Sequence, residues 1–171
     1  MDMPAQFRML AAYNGWANRR LYDAAAKLTE EQYDADTGLF FRSLRGTLNH
    51  LLVTDRIWMR RFTGEGDAPD RLDTILHDDL ASLRRAREAE DERIEDWVGR
   101  LDERALANTI RYRRATTPDV FEQPLAPALL HMFNHQTHHR GQCHAGLTRI
   151  VGEAPSLDLL PFQRESGIGM S

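Results

Sequence analysis

The stretch His131-Met-Phe-Asn-His135-Gln-Thr-His138-His139-Arg-Gly-Gln142 holds four of the seven histidines of the chain within nine residues. On an α-helix each residue advances by about 100°, so His135 and His139 lie one turn apart with their imidazoles on one side. This is how a helix offers two nitrogen ligands to a metal ion. Two protein ligands are rarely enough, so the stretch predicts a helix inside a fold that supplies a third ligand from elsewhere.

The composition is that of an ordinary globular domain. The 171 residues are 42% hydrophobic and 28% charged with a net charge of -4, which predicts a single domain spanning 1–171. No basic patch interleaved with aromatic residues favours nucleic-acid binding, and no apolar run reaches the roughly 20 residues of a membrane helix. A single cysteine, Cys143, and the absence of a signal pattern predict a cytoplasmic protein without an internal disulfide.

Apolar residues recur at helical spacing in four long segments. The segments run from about Pro4 to Leu28, Ser43 to Phe62, Asp73 to Leu101 and Pro127 to Ile150. Thr29 and Gln32 have the spacing of a capping box, which predicts a short extra turn. The expected fold class is therefore all-α: a four-helix bundle.

A short β-hairpin is predicted between helices three and four. Thr109–Arg113 alternates with period two, Thr116–Asp119 carries a turn signal, and the strand pattern resumes at Val120. Such a hairpin must lie against the bundle, because two strands are not stable alone. The tail near Phe162 is apolar enough to dock, and the chain is expected to fray beyond about residue 164.

His50 is the candidate for the third metal ligand. Apolar residues surround so much of the second helix that it should be largely buried, and His50 then points into a core or a cavity. A lone inward histidine is more often a hydrogen-bonded core residue, but the pair His135 and His139 makes a metal site the stronger interpretation. The three rings can meet if the two helices run antiparallel or crossed.

Spacing leaves the choice among the clustered histidines open. His135 and His139 are the preferred pair, although His131 and His135 have the same spacing. His131 or His138 could instead form hydrogen bonds or act as a general base. Three neutral imidazoles suit Zn(II), Ni(II), Fe(II) or Cu(II) and leave a coordination position for water or substrate.

Polar residues at inward positions add candidates for substrate binding. Arg87 and Glu90 interrupt the heptad seam of the third helix. They either pair with each other or extend their charged ends to solvent, or Arg87 reaches the cavity of His50 and binds an anionic group. Asn14 and Asn18 on the first helix either bridge neighbouring backbone or border a polar cavity. Arg87 and His138 are the candidate catalytic residues.

Three motifs resemble those of the DinB family in the DinB/YfiT-like superfamily. They are Tyr13-Asn-Gly-Trp-Ala-Asn18, Leu48-Asn-His50-Leu-Leu and Phe133-Asn-His135-Gln-Thr-His-His139-Arg-Gly-Gln142. The resemblance covers nearly the whole chain and implies a four-helix bundle, commonly a homodimer, with a metal on His50, His135 and His139. Zinc or nickel is the metal that it implies first, with iron or manganese as further options.

The resemblance also implies a range of functions. Relatives include S-transferases that use bacillithiol, mycothiol or glutathione, a maleylpyruvate isomerase, and metal-dependent hydrolases. The first hypothesis is therefore a metal-dependent enzyme that activates water or a low-molecular-weight thiol for attack on a small electrophile. The alternatives are a noncatalytic, metal-binding stress-response protein with a structural metal, and, with less support, an interaction module.

Overall fold

The computed structural model describes residues 1–113 and 119–170. Within them the chain forms α1 Met3–Ala25, α2 Glu30–Asp34, α3 Leu44–Thr63, α4 Leu80–Gly99, α5 Glu103–Leu106, β1 Thr109–Arg113, β2 Val120–Pro124, α6 Leu125–Val151 and α7 Leu159–Ser166. Most of the expected hairpin turn, at residues 116–118, lies outside the described residues. No helix among those described is long and apolar enough to cross a membrane.

The four long helices α1, α3, α4 and α6 form the bundle. Helix α1 packs on α4 and α6, and α3 packs on the same two helices. Strands β1 and β2 pair antiparallel with Tyr112 opposite Phe121, and the hairpin lies against α3 and α6. The predicted fold class, a four-helix bundle with a hairpin between the third and fourth long helices, is confirmed.

Among the described residues, two large apolar clusters lie between the long helices with a polar layer between them, and a smaller third cluster joins α1 to α7. One of the two large clusters includes Phe7, Met59, Ile94 and Leu129, and the other includes Leu21, Leu48, Leu83 and Leu147. Each long helix carries buried polar residues in the stretch between its contributions to the two clusters: Asn14 and Asn18 on α1, Asp55 on α3, Arg87 and Asp91 on α4, and Gln136 and Arg140 on α6.

The polar layer contains the ion pairs of Arg87, and Glu90 lies beside it on α4. Arg87 lies 2.7 Å from a carboxylate oxygen of Asp55 and 3.0 Å from one of Asp91, whereas Glu90 pairs with Arg93 at 3.0 Å. Of the alternatives left open by the sequence, the Arg87–Glu90 pair is wrong, because Asp55 and Asp91 compensate the charge of Arg87 and Glu90 pairs with Arg93.

The asparagines of α1 bind side chains of other helices rather than neighbouring backbone, and Asn18 also borders a small polar cavity. Asn18 donates a hydrogen bond to Asp91 at 2.9 Å, and Asn14 does the same at 3.2 Å. Arg140 donates to the side-chain oxygen of Asn14. The two amides thus connect a carboxylate of α4 with a guanidinium of α6, which satisfies charged groups that would be costly to bury alone.

The third long helix is shorter than predicted. It begins at Leu80, after the N-cap Asp79, whose carboxylate accepts from the backbone of Ser82 at 2.8 Å. The N–H groups of Leu76 and His77 are instead hydrogen-bonded to Asn49 of α3, at 2.8 and 3.0 Å. Those contacts hold the preceding segment in a non-helical conformation against α3, although the apolar spacing continues through it.

The C-terminal segment docks on α1, as its apolar residues predict. The Tyr13 hydroxyl donates to the carbonyl of Leu157 at 2.6 Å, and Phe162 of α7 is buried against the Tyr13 ring, with centroids 5.9 Å apart. Helix α7 ends at Ser166, two residues beyond the point where fraying was expected.

Candidate metal centre

Three imidazoles from two packed helices converge at one point. His50 comes from α3, and His135 and His139 come from successive turns of α6. One nitrogen of each ring lies within 4.8 Å of the other two, and the Nε2 atoms of His50 and His135 are 3.4 Å apart. The three residues singled out from the sequence as metal ligands are thus brought together.

Hydrogen bonds at the far side of two rings orient them toward this point. The Nδ1 atom of His50 lies 2.8 Å from the carbonyl oxygen of Leu72, and that of His139 lies 2.7 Å from Oε1 of Gln142. Both partners can only accept, so each Nδ1 carries the proton and each Nε2 keeps its lone pair. Histidines that ligate metals almost always have such a partner on the other nitrogen, so the residues fit a bound metal.

Burial keeps the cluster neutral. Loss of hydration lowers the pKa of His50 to about 4 and that of His135 to about 3, with the neighbouring imidazoles adding to the effect. Burial also lowers the pKa of His139. At neutral pH all three rings are therefore unprotonated, which is the state that binds a metal ion.

The loop before α3 forms one wall of the centre. The Phe41 ring stacks on His50 with centroids 3.8 Å apart, and it lies 5.7 Å from the His139 ring. Gly46 in the first turn of α3 permits this, since a Cβ atom there would meet the carbonyl oxygen of Phe41. Phe41 thus shields the histidines from water on that side.

On the other side the centre borders an open cavity of about 540 Å³. Its lining includes His50, His131 and His135. Trp58 and Tyr112 add aromatic surface, and the Arg61 guanidinium carbon lies 4.5 and 4.4 Å from their ring centres. A small molecule of mixed aromatic and polar character can therefore approach two of the three histidines.

The remaining clustered histidines lie outside the three-nitrogen group. The His131 ring packs on Trp58, and its centroid is 6.0 Å from that of His135. His138 is exposed, and its Nε2 accepts from the amide of Gln142 at 3.2 Å. Of the two pairs with equal spacing, His135 and His139 are the pair grouped with His50.

Arg87 is placed apart from the cavity. It is 1% exposed, and its guanidinium forms ion pairs with Asp55 and Asp91. It is not among the described residues that line the cavity beside His50. Its burial is explained by the two carboxylates, without an anionic substrate.

Several residues that position the three histidines were not predicted from the sequence. Gln142 stands in the histidine motif, one turn after His139, so its spacing could have indicated a hydrogen bond. Asn49 stands beside His50 on a buried helix, and it holds the segment that carries Leu72. Leu72 acts through its backbone carbonyl and Phe41 through a loop, and neither leaves a signal in the sequence pattern.

The fold and the centre define a class of protein: a four-helix bundle whose buried cluster of three histidines is compatible with metal binding. The profile of the DinB family matches residues 2–166, so the chain belongs to the DinB family. The chain is also similar to Protein DinB of Bacillus subtilis (strain 168), with 29% identity over 146 residues, which are 81% of this chain and 82% of that protein. The resemblance found in the motifs is confirmed.

Proposed function

We propose that this protein is a metal-dependent enzyme that activates water or a low-molecular-weight thiol for attack on a small electrophile. The observation that carries the proposal is the position of the histidine cluster, at the wall of an open cavity rather than inside a sealed core. Structural metal sites use a full set of protein ligands, whereas three protein ligands beside an accessible space are typical of catalytic sites.

His50, His135 and His139 hold the metal in this proposal. When bound, a divalent metal supplies a Lewis acid that makes water or a thiol nucleophilic near neutral pH. The Leu72 carbonyl and the Gln142 side chain accept hydrogen bonds from Nδ1 of His50 and His139. These bonds keep both imidazoles in the tautomer whose Nε2 is free to bind a metal. Phe41 keeps water away from the side of the cluster that faces the loop.

Other residues of the cavity receive the substrate. Trp58 and Tyr112 offer aromatic surface to an apolar electrophile. His131 is better placed than His138 to accept a proton from the nucleophile, because it lines the cavity and His138 does not. We assign His138 a positioning role through Gln142, and Arg87 a positioning role through the buried ion pairs that join α4 to α3, the helix that carries His50.

Zinc and nickel are the metals we propose first, because imidazole nitrogen suits both, and iron is the next option. The donor set gives less support to manganese, which prefers oxygen ligands. The homodimer, the cytoplasmic location and a link to stress response stay predictions from the sequence and its family resemblance.

The alternative is a noncatalytic stress-response protein in which the metal only stabilises the bundle. The cavity beside His50 and His135 favours the enzyme, since a purely structural metal has no need of access. The two functions differ in their response to metal removal. A structural role predicts a large loss of thermal stability, and an enzyme predicts a loss of turnover.

The experiment measures the loss of a chromogenic electrophile, 1-chloro-2,4-dinitrobenzene, with glutathione or water as nucleophile and with zinc or nickel in the protein. We expect a rate that depends on the metal and disappears in His135→Ala, whereas His144→Ala, on the same helix outside the cluster, keeps it. Absence of any metal-dependent rate, with a large fall in melting temperature on chelation, would favour the structural role.

A further inference from the structure

A second cavity, of about 600 Å³, adjoins the cavity at the histidines. The two share Ile57, Arg61 and Tyr112 as a common wall. Four arginines line the second cavity, and we call it the arginine groove: Arg60 and Arg61 from α3, and Arg111 and Arg113 from β1. Strand β1 therefore places two arginines beside the two arginines at the C-terminal end of α3.

The charge of the groove is opposite to that of the whole chain, which is -4. Asp70 is the one carboxylate among the described residues that line it. Arg111 lies 3.6 Å from Glu122, but both side chains are well exposed, so this pair is weak. A surplus of positive charge thus faces a concave surface, where it concentrates anions.

Helix stability explains only part of this cluster. Arg60 and Arg61 stand in the last turn of α3, where cations favour the helix dipole. That effect gives no reason for Arg111 and Arg113, which are two residues apart on β1 and so share a face of the strand. A bound anion gives a reason for both pairs, since arginine binds carboxylate and phosphate groups through paired N–H donors.

We propose that the arginine groove binds the anionic end, a carboxylate or a phosphate, of the small molecule whose reacting end lies at the three histidines. This inference rests on the proposed function, because it assigns the substrate of the same site a charged end. Arg60 and Arg113 are then specificity-determining residues, separate from the metal ligands. Because the two cavities share Ile57, Arg61 and Tyr112, the proposed molecule would extend across these three residues from one cavity to the other.

The first measurement concerns the groove alone, in metal-free protein. S-methylglutathione, a dicarboxylate without a free thiol, and inorganic phosphate are titrated by calorimetry at low salt. We expect at least one of them to bind, and its Kd to rise about tenfold in the double variant Arg60→Gln/Arg113→Gln. Arg104→Gln, an exposed arginine on α5, should leave the Kd unchanged. The probe that binds distinguishes a carboxylate from a phosphate.

The second measurement connects the groove to the histidines. Glutathione and glutathione diethyl ester are titrated into nickel-loaded protein, with the nickel absorption spectrum as readout. We expect glutathione to bind about tenfold more tightly than the ester in the wild type and in Arg104→Gln, and this preference to disappear in Arg60→Gln/Arg113→Gln.

The outcomes separate this inference from the proposed function. Equal Kd values in the wild type and the double variant, for both groove probes, would overturn the inference. Groove binding without any preference for glutathione over its ester would overturn the connection to the histidines. If neither thiol changes the nickel spectrum, the thiol-dependent form of the proposed function fails, and the calorimetry still decides on the groove.

Discussion

The imidazole of His139 is held by Gln142, one turn further along α6, with Nδ1 and Oε1 2.7 Å apart. The same amide donates from its Nε2 to His138 at 3.2 Å. Gln142 therefore fixes the orientation of the ring and connects the cluster to a histidine on the surface. Gln142 is not one of the three candidate ligands, but a change at this residue should alter the affinity of the site for metal through the His139 ring.

Replacing Gln142 should weaken metal binding without unfolding the protein. We expect Gln142→Leu to lower the affinity for zinc by about 10- to 100-fold, because His139 loses the acceptor for its Nδ1 proton. Gln142→Glu keeps an acceptor and should bind at least as tightly as the wild type. Competition with a chromophoric chelator measures both. Equal affinity in Gln142→Leu and the wild type would show that this hydrogen bond does not position the ligand.

Gly46 should be required for the wall formed by Phe41. In Gly46→Ala the new Cβ meets the backbone oxygen of Phe41, which cannot rotate away, so we expect a loss of about 1–3 kcal/mol in the free energy of unfolding. Gly141→Ala on α6, where nothing lies near the new atom, should gain up to about 1 kcal/mol from helix propensity. Chemical denaturation compares them, and equal stability of the two variants would contradict the placement of the loop.

Arg87 should matter for stability more than for substrate binding. Arg87→Met leaves Asp55 and Asp91 buried without their cation, which should cost about 3–5 kcal/mol. Arg85→Met, at an exposed position of the same helix, should change stability by less than about 0.5 kcal/mol. If Arg87→Met instead unfolds like the wild type but loses turnover, Arg87 binds substrate.

The polar layer should make stability depend on pH through Asp55. Burial raises the pKa of this carboxyl to about 6, and the charge of Arg87 opposes the shift only in part. Because the unfolded value is about 3.9, the folded protein binds this proton more tightly. The stability that Asp55 contributes is therefore fully present below about pH 4 and is lost as the pH rises through about 6.

The comparison is between the wild type and Asp55→Asn across that range. We expect the stability of the wild type relative to the variant to fall by up to about 3 kcal/mol between pH 4 and pH 7. Denaturation at each pH gives the free energies, and a carboxyl-carbon NMR titration gives the pKa directly. A constant difference would show that the charge of Arg87 cancels the effect of burial on the pKa, and a titration midpoint below 3.9 would show that it outweighs burial.

The sequence predicts the bundle well because helical periodicity depends on local spacing. All four long helices and the hairpin were expected, and the main error is the start of α4. Leu76 fits the apolar pattern, but the N–H group of Leu76 donates a hydrogen bond to Asn49, which lies 27 residues earlier in the sequence. A tertiary contact of that kind overrides local spacing and cannot be read from it.

The histidine cluster was predictable for a similar reason, and its surroundings were not. His135 and His139 are related by helix geometry, and His50 stands on a helix that had to be buried. The carbonyl of Leu72 and the ring of Phe41 come from non-helical segments, whose course depends on contacts such as Asn49 with His77 and Gly46 with Phe41. Side-chain motifs in the sequence indicate candidate metal ligands, whereas the backbone atoms that orient those ligands can be identified only from the structure.

Elemental analysis decides whether His50, His135 and His139 hold one metal ion, as we propose. The protein and its variants are purified without a metal-affinity tag. We predict stoichiometric metal in the wild type, in His131→Ala and in His144→Ala, and its loss in His50→Ala, His135→Ala and His139→Ala. Stoichiometric metal in folded His50→Ala, or a loss in His131→Ala as complete as that in His135→Ala, would show that a different set of residues binds the metal.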